Sequence, residues 1–493
     1  MSSGDHTFSE FYFPPGATAP IAARVNRALF ASDARWSLGP YCFVIDTLVR
    51  DAPEPRRNLL QTGRAYVKST ARWWPRRRSV DRPSWRGDVI VAGECAGRAE
   101  LEVIARLIDG VATTGRSVLY LSTRREETGF VRQACENSQR RGRVTVLELP
   151  DLSRAGEFWA RSEAHAQFAE DLWLLEPILR GAGAWLWRDA LPQVRQVALA
   201  KTVWRSMREN IDASALITLT NYRPLSAVLL AEAAESRRLS ISFQHSVVTC
   251  PGSFVPIPCA RYAVFGAASR GLLDRLDAEF AAAVGRQPVC RDIVSIGSLL
   301  DPIAPREAAA ASGDILVIDS GEGFARNFFG IAEEFSALES AAGVLSKMCA
   351  PRRSLVVRAH PRGGAGRWRR VARRFGGRIK VSTGRPLAED LRSAALVVGL
   401  FSTVLPVAAA CGLPVFFLWK PGWFFTPDLA AFAPDHFADP DALPARAFEL
   451  LKSESLYRRA SRSAQAAAEQ YFAGVRQCEF DRFTIDSLLA PLP

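Results

Sequence analysis

From Asp88 onward, short apolar runs alternate with longer segments whose apolar residues recur at helical spacing. DVIVAGE, SVLYLST and VTVLELP read as strands, with AELEVIARLIDGVATTG and FVRQACENSQRR as helices between them. Strands separated by helices of this length build βαβ units, and therefore a parallel sheet. The alternation breaks at residues 151–212, a Trp-rich stretch whose clearer segments, FWARSEAHAQFAEDLWLLEPIL and VRQVALAKTVWRSMREN, predict a helical insertion. It resumes with ALITLTN, a helix over AVLLAEAAESRR, then SISFQHS, RYAVFG and DIVSIGS. After the loop LLDPIAPREAAAASG a second series begins: DILVIDS, SLVVRAH, RIKVSTG, AALVVGL and VFFLW. The pattern predicts an α/β chain in three parts: an N-terminal extension, 1–85; a first Rossmann-like domain, 86–305, carrying the insertion; and a second, 306–493.

An uncharged run from Ala394 to Trp419 has the length of a membrane span. It also contains Gly399, Ser402, Thr403, Pro406, Gly412 and Pro414, which would break a continuous helix. It divides instead into a buried parallel strand, a short helix capped by Ser402 or Thr403 with Pro406 in its first turn, and a following strand after Gly412 and Pro414.

Composition bounds the setting. The net charge of +12 points to an anionic partner or surface. Nine scattered cysteines, without a C-x-x-C pair, fit neither a disulfide framework nor a zinc site, and predict a reducing cytoplasm. MSSGDHTFSE lacks the basic and apolar regions of a secretory signal. Between Arg50 and Arg86, eleven basic residues face three acids, a net +8, with Tyr66, Trp73, Trp74 and Trp85 interleaved. Such a segment suits an anionic membrane surface, or is a solvated arm packed on its own protein. Nucleic acid is not expected, because no known binding module accompanies the charge.

Candidate chemistry gathers in the second series. Ser402 and Thr403 sit where a strand gives way to a helix, a place whose unpaired N–H groups favour an anion. SLVVRAHPR ends its strand with Arg358, His360, Pro361 and Arg362, which puts His360 at the edge where open α/β sheets bind ligands. A lone strand-end histidine is more often a satisfied edge residue. One flanked by two arginines beside a Ser-Thr cap reads as part of an anion site. DSGEGFARN adds Gly321 and Gly323, as backbone donors or as a plain tight turn.

The H-P after a strand, followed about 40 residues later by a strand, S-T, an apolar helix and G-x-P-V, resembles the donor domain of GT-B glycosyltransferases of bacterial surface-polysaccharide biosynthesis. The polysialyltransferase-like and CDP-glycerol glycerophosphotransferase-like groups are the most similar. TNYRP, ISFQHS, YAVFG and SIGSLLDP upstream are similar to that superfamily's first domain. The resemblance implies two Rossmann-like domains facing a central cleft. It also implies a sugar moved from a nucleotide-activated donor, CMP- or CDP-linked, to a surface glycan or lipid-linked acceptor. His360, Ser402 and Thr403, with Arg358, Gly321 and Gly323, would hold the donor phosphate, so that no metal or other cofactor is needed. His245, or else Glu94, both at strand ends of the first domain, would be the base for the acceptor hydroxyl. The chain departs from the family pattern in having QHS for QHG, Val407 where relatives carry a Glu, and an acid-free arginine run after Arg362. That run is a solvated helix face or meets an anionic acceptor or membrane. A sugar-nucleotide 2-epimerase on the same fold, and a non-catalytic anion- or membrane-binding protein, are the alternatives.

Overall fold

The computed structural model describes residues 24–29, 41, 84–95, 97–136, 142–149, 162–181, 190–221, 223–244, 246–248, 254–299, 312–321, 332–349, 353–360, 364–473 and 480–492. They form two parallel α/β units, as the alternation of runs predicts.

The first sheet contains β1 (Trp85–Ala92), β2 (Val118–Ser122), β3 (Val144–Glu148), β4 (Ile211–Thr218), β5 (Leu239–Phe243), β6 (Arg261–Val264) and β7 (Asp292–Ser295), in the order β3-β2-β1-β4-β5-β6-β7. Every described pairing is parallel. Its helices are α1 (Arg98–Thr113), α2 (Arg125–Glu136), α3 (Ser162–Gly181), α4 (Ala190–Met207), α5 (Pro224–Glu235) and α6 (Ala267–Ala283). The insertion is the packed helix pair α3 and α4, in which Leu175, Leu179, Val194 and Val197 are completely buried. Between them Lys201 Nζ lies 2.8 Å from Asp171 Oδ1, with both side chains buried. Tyr41 from the N-terminal extension reaches the same carboxylate, its hydroxyl donating to Asp171 Oδ2 at 2.6 Å.

The second sheet holds β8 (Asp314–Ile318), β9 (Leu355–Arg358), β10 (Ile379–Ser382), β11 (Ala394–Gly399), β12 (Val415–Leu418) and β13 (Phe437–Ala438), ordered β10-β9-β8-β11-β12-β13 and again parallel. Around it lie α7 (Ala332–Met348), α8 (Ala365–Arg374), α9 (Leu387–Ser393), α10 (Val404–Ala410), α11 (Leu443–Lys452) and α12 (Glu454–Tyr471). The uncharged run becomes β11, α10 and β12. All six residues of β11 are buried, as expected of a strand covered on both faces. Gly412, at φ 78°, closes α10 by donating its amide to Ala409 O. Among the described residues no helix is long and apolar enough to cross a membrane.

The last helix, α13 (Arg482–Leu489), leaves the second unit and packs on the first. Phe480, Ile485 and Leu488 join the core formed by α1, β1 and β4. Gly110 of α1 makes room for them, since a Cβ there would lie 2.4 Å from Phe480 O. Arg261 Nη1 donates to the carbonyls of Ser487, Leu488 and Ala490, a cation placed at a helix C-terminus.

Loops from the carboxyl edges of both sheets meet at Asp428. Its Oδ2 accepts from the Val248 amide, just past β5, at 2.9 Å and from the Tyr471 hydroxyl at 2.7 Å. Burial pushes this carboxyl from 3.8 up to about 6, against the pull of those two donors. With the folded value above the unfolded one, the native state holds the extra proton between them, so its contribution is fullest below 3.8 and is lost as pH rises through about 6. Asp428→Asn stays neutral and keeps an acceptor oxygen. Between about pH 4 and pH 7 its unfolding free energy, from urea melts, is expected to gain on the wild type by on the order of 3 kcal/mol. A pH-independent difference between the two proteins would contradict this.

Candidate functional site

In each sheet the strand order reverses direction once, between β1 and β4 in the first and between β8 and β11 in the second. Crevices at the carboxyl ends of such neighbouring strands are where open α/β sheets bind ligands. The two crevices in this protein are furnished differently.

In the second unit, β8 is bordered by β9 on one side and β11 on the other, so three adjacent strand ends supply the edge. Asp319, buried directly after β8, ties them together. Its Oδ1 accepts from the Gly321 amide and its Oδ2 from the His360 amide, each at 3.2 Å. Gly321 then lies against the imidazole, close enough that a Cβ on it would sit 3.0 Å from His360 Nδ1. Its φ of 83° is a second reason for glycine. Gly364, at φ 94°, is equally constrained, because a Cβ there would fall 2.1 Å from Asp319 Oδ2. On the other flank, the Ser320 hydroxyl donates to Phe401 O, joining the β8 loop to the β11 loop. Ser402 and Thr403 follow immediately. Ser402 Oγ accepts from the Val404 amide at 3.3 Å, while Thr403 makes no side-chain cap. His360, Ser320, Gly321, Ser402 and Thr403 are all half-buried, so each keeps a face toward solvent.

The structure thus puts His360, Gly321, Ser402 and Thr403 along one edge. Arg358 stands apart: its Nη1 pairs with Asp390 Oδ2 at 2.6 Å and donates to Arg385 O at 3.0 Å, so its charge meets an internal carboxylate. Val407 is completely buried in α10, which leaves no solvated place for an acid there. Asp319 escaped the sequence reading. The only local sign of it was an acid closing the apolar run DILVI with a glycine two positions on.

The first unit's crevice is closed by its own carboxylate. Glu94, just past β1, is buried and held at φ 69°, a conformation non-glycine residues rarely adopt. Its Oε1 accepts from the Leu225 amide at 3.0 Å, and its Oε2 from the Ser226 amide at 2.8 Å and the Ser226 hydroxyl at 3.1 Å. These are the first amides of α5, so Glu94 occupies the position an incoming anion would take at that helix end. Burial pushes its carboxyl up to about 7, opposed by the Ser226 and Leu225 amides and the Arg223 charge. His245 and Gly323 lie outside the described residues. Gln244, beside His245, is fully buried and clamps the end of β5 to that of β6, its Oε1 accepting from the Phe265 amide at 3.0 Å.

Among the described residues no group of three or more His, Cys, Asp or Glu is placed to hold a metal ion. No protein-family model and no curated protein matches the chain. Solved structures of similar overall shape include a glycosyltransferase from Rickettsia africae, at 9% identity and TM-score 0.45, covering 82% of this chain and 99% of that one. HepE from Anabaena, solved in complex with UDP-glucose, aligns at 12% identity and TM-score 0.46, over 82% of this chain and 98% of its own. UDP-GlcNAc 2-epimerase from Neisseria meningitidis, bound to UDP-GlcNAc, aligns at 10% identity and TM-score 0.47, over 82% and 99%. All three scores fall below 0.5.

Proposed function

We propose that the chain is a glycosyltransferase of the GT-B type. Its donor, a nucleotide-activated sugar, binds at the carboxyl edge of β8, β9 and β11, and its acceptor, a surface glycan or lipid-linked glycan, lies against the first unit. The observation that carries this reading is the contrast between the two crevices. One anion position, at α5, is filled by Glu94. The corresponding edge of the other sheet presents the half-buried His360 and two half-buried hydroxyl residues. Only the second offers a phosphate somewhere to sit.

In the proposed reaction the acceptor hydroxyl attacks the anomeric carbon. The bond from that carbon to the phosphate oxygen breaks, and the nucleotide leaves with the electron pair. His360, Ser402 and Thr403 donate to the phosphate oxygens as negative charge grows on them, which is where preorganised donors contribute most. Arg358 and Gly321 are engaged within the protein, by Asp390 and Asp319, so of the loop glycines only Gly323 is left to supply a backbone donor. The hydroxyl proton passes to a base on the first unit. Histidine as a free side chain titrates near neutrality, which makes His245 the first candidate, whereas both oxygens of Glu94 are engaged by α5.

Thermal-shift screening with CMP, CDP, UDP and GDP tests the reading, because a ligand bound only by the native state raises the melting temperature. At least one nucleotide is expected to stabilise the protein, CMP or CDP foremost, and His360→Ala is expected to abolish the shift. No shift with any of the four would remove the support for a donor site. Conversion of a nucleotide sugar without acceptor would assign the same site to an epimerase.

A further inference from the structure

The helix after His360, α8, packs Trp368, Val371 and Ala372 into the core and turns Arg369, Arg370, Arg373 and Arg374 outward, all exposed. Residues four apart on a helix are neighbours, with Cβ atoms about 5–6 Å apart, so Arg369 stands over Arg373 and Arg370 over Arg374. Gly376 and Gly377, at φ 64° and 72°, reverse the chain immediately afterwards and present exposed Arg378 at the same helix end. Residues 362–388 contain no acid, and none of these five arginines forms an ion pair among the described residues.

On other helices several exposed arginines are paired with acids, although exposed Arg132, Arg270, Arg459 and Arg462 form no ion pair among the described residues. Arg98 pairs with Glu102, Arg180 with Glu176, Arg275 with Glu279 and Arg458 with Glu454, each at a four-residue spacing. Even Arg367, at the flank of α8, is paired with Glu339. On the outer face of α8 like charges take the positions that acids take in those pairs, which works against the free helix. The same arrangement becomes favourable once anions lie across it.

We propose that this face is a docking surface for the anionic phosphate headgroups of a lipid bilayer. Guanidinium groups present a planar fork that matches phosphate oxygens, and all five cations are arginine. The face is the outer side of a helix that packs on β10, the outermost strand of its sheet. The apolar side of α8 is spent on the core, which makes the attraction electrostatic and salt-sensitive. The proposal stands whatever reaction the crevice performs.

Co-sedimentation of the full chain with vesicles of equal parts phosphatidylglycerol and phosphatidylcholine, against phosphatidylcholine alone, tests it. Binding is expected only to the first, with release in high salt. Each basic residue near an anionic surface is worth about fivefold in partition, so the quadruple variant R369Q/R370Q/R373Q/R374Q should lose about a hundredfold or more. Should that variant fold poorly, Arg370→Gln and Arg374→Gln alone are each expected to lose about fivefold. Wild-type affinity in all these variants would overturn the proposal, and so would equal binding to phosphatidylcholine. Capture of the wild type by soluble polyphosphate, with phosphatidylglycerol vesicles ignored, would assign the face to an extended polyanion and overturn it as well.

Discussion

His360→Ala is expected to lower sugar transfer by about two to three orders of magnitude, the usual cost of removing one preorganised donor from a site where charge develops. The substitution isolates that role because the residue is anchored through its backbone: the His360 amide donates to Asp319, and the Asp319 amide to Arg358 O. Loss of the imidazole leaves both bonds in place, so the melting temperature should change little. His360→Gln retains an N–H donor and should recover part of the lost rate. Initial rates at varied donor concentration, with the nucleotide identified by thermal shift, supply the readout. Unchanged turnover in a correctly folded His360→Ala protein would exclude the imidazole from the reaction.

Lys201→Ala should produce the largest loss of stability, about 3–5 kcal/mol, because it strands the Asp171 carboxylate in the interior. The pair is almost sealed, with side-chain exposures of 4% and 0%. Burial lowers the lysine's pKa and raises the aspartate's, each offset in part by the other's charge. Asp171 also accepts from the Gln167 amide at 2.9 Å and from Tyr41, whose ring centroid lies 5.0 Å from Lys201 Nζ. Removing the ammonium therefore disturbs the contact between the insertion and Tyr41 as well. The paired replacement Lys201→Met with Asp171→Leu removes both charges and should restore most of the loss. Urea unfolding of the three proteins measures this, and a single-variant loss under about 1 kcal/mol would mean that water reaches the pair.

How far the sequence foretold the molecule follows from the range of the interactions involved. Buried parallel strands such as AALVVGL and SLVVRAH are legible because their apolar character is local and bounded by glycine, proline or polar residues. The division of the uncharged run into strand, helix and strand was legible for the same reason. The roles of individual charged residues were not. Glu94 reads as a free strand-end acid until α5, 131 positions away, delivers its amides. Arg358 reads as a ligand for an anion until Asp390, 32 positions on, takes its Nη1. Asp319 and His360 are 41 positions apart, and only the adjacency of β8 and β9 brings them together. The helix α6 between RYAVFG and DIVSIGS, and the return of α13 to the first unit, likewise depend on which sheet face is left uncovered.

That return gives the polypeptide two passages between its halves, one between β7 and β8 and one between α12 and α13. Two bodies pinned at two points turn easily only about the line through both pins, while sliding or twisting strains one attachment. Hinge closure around bound ligands is among the common motions of two-lobed proteins. Two attachments restrict any such closure here to a single axis, which in the proposed reaction would fix the arc along which donor and acceptor approach.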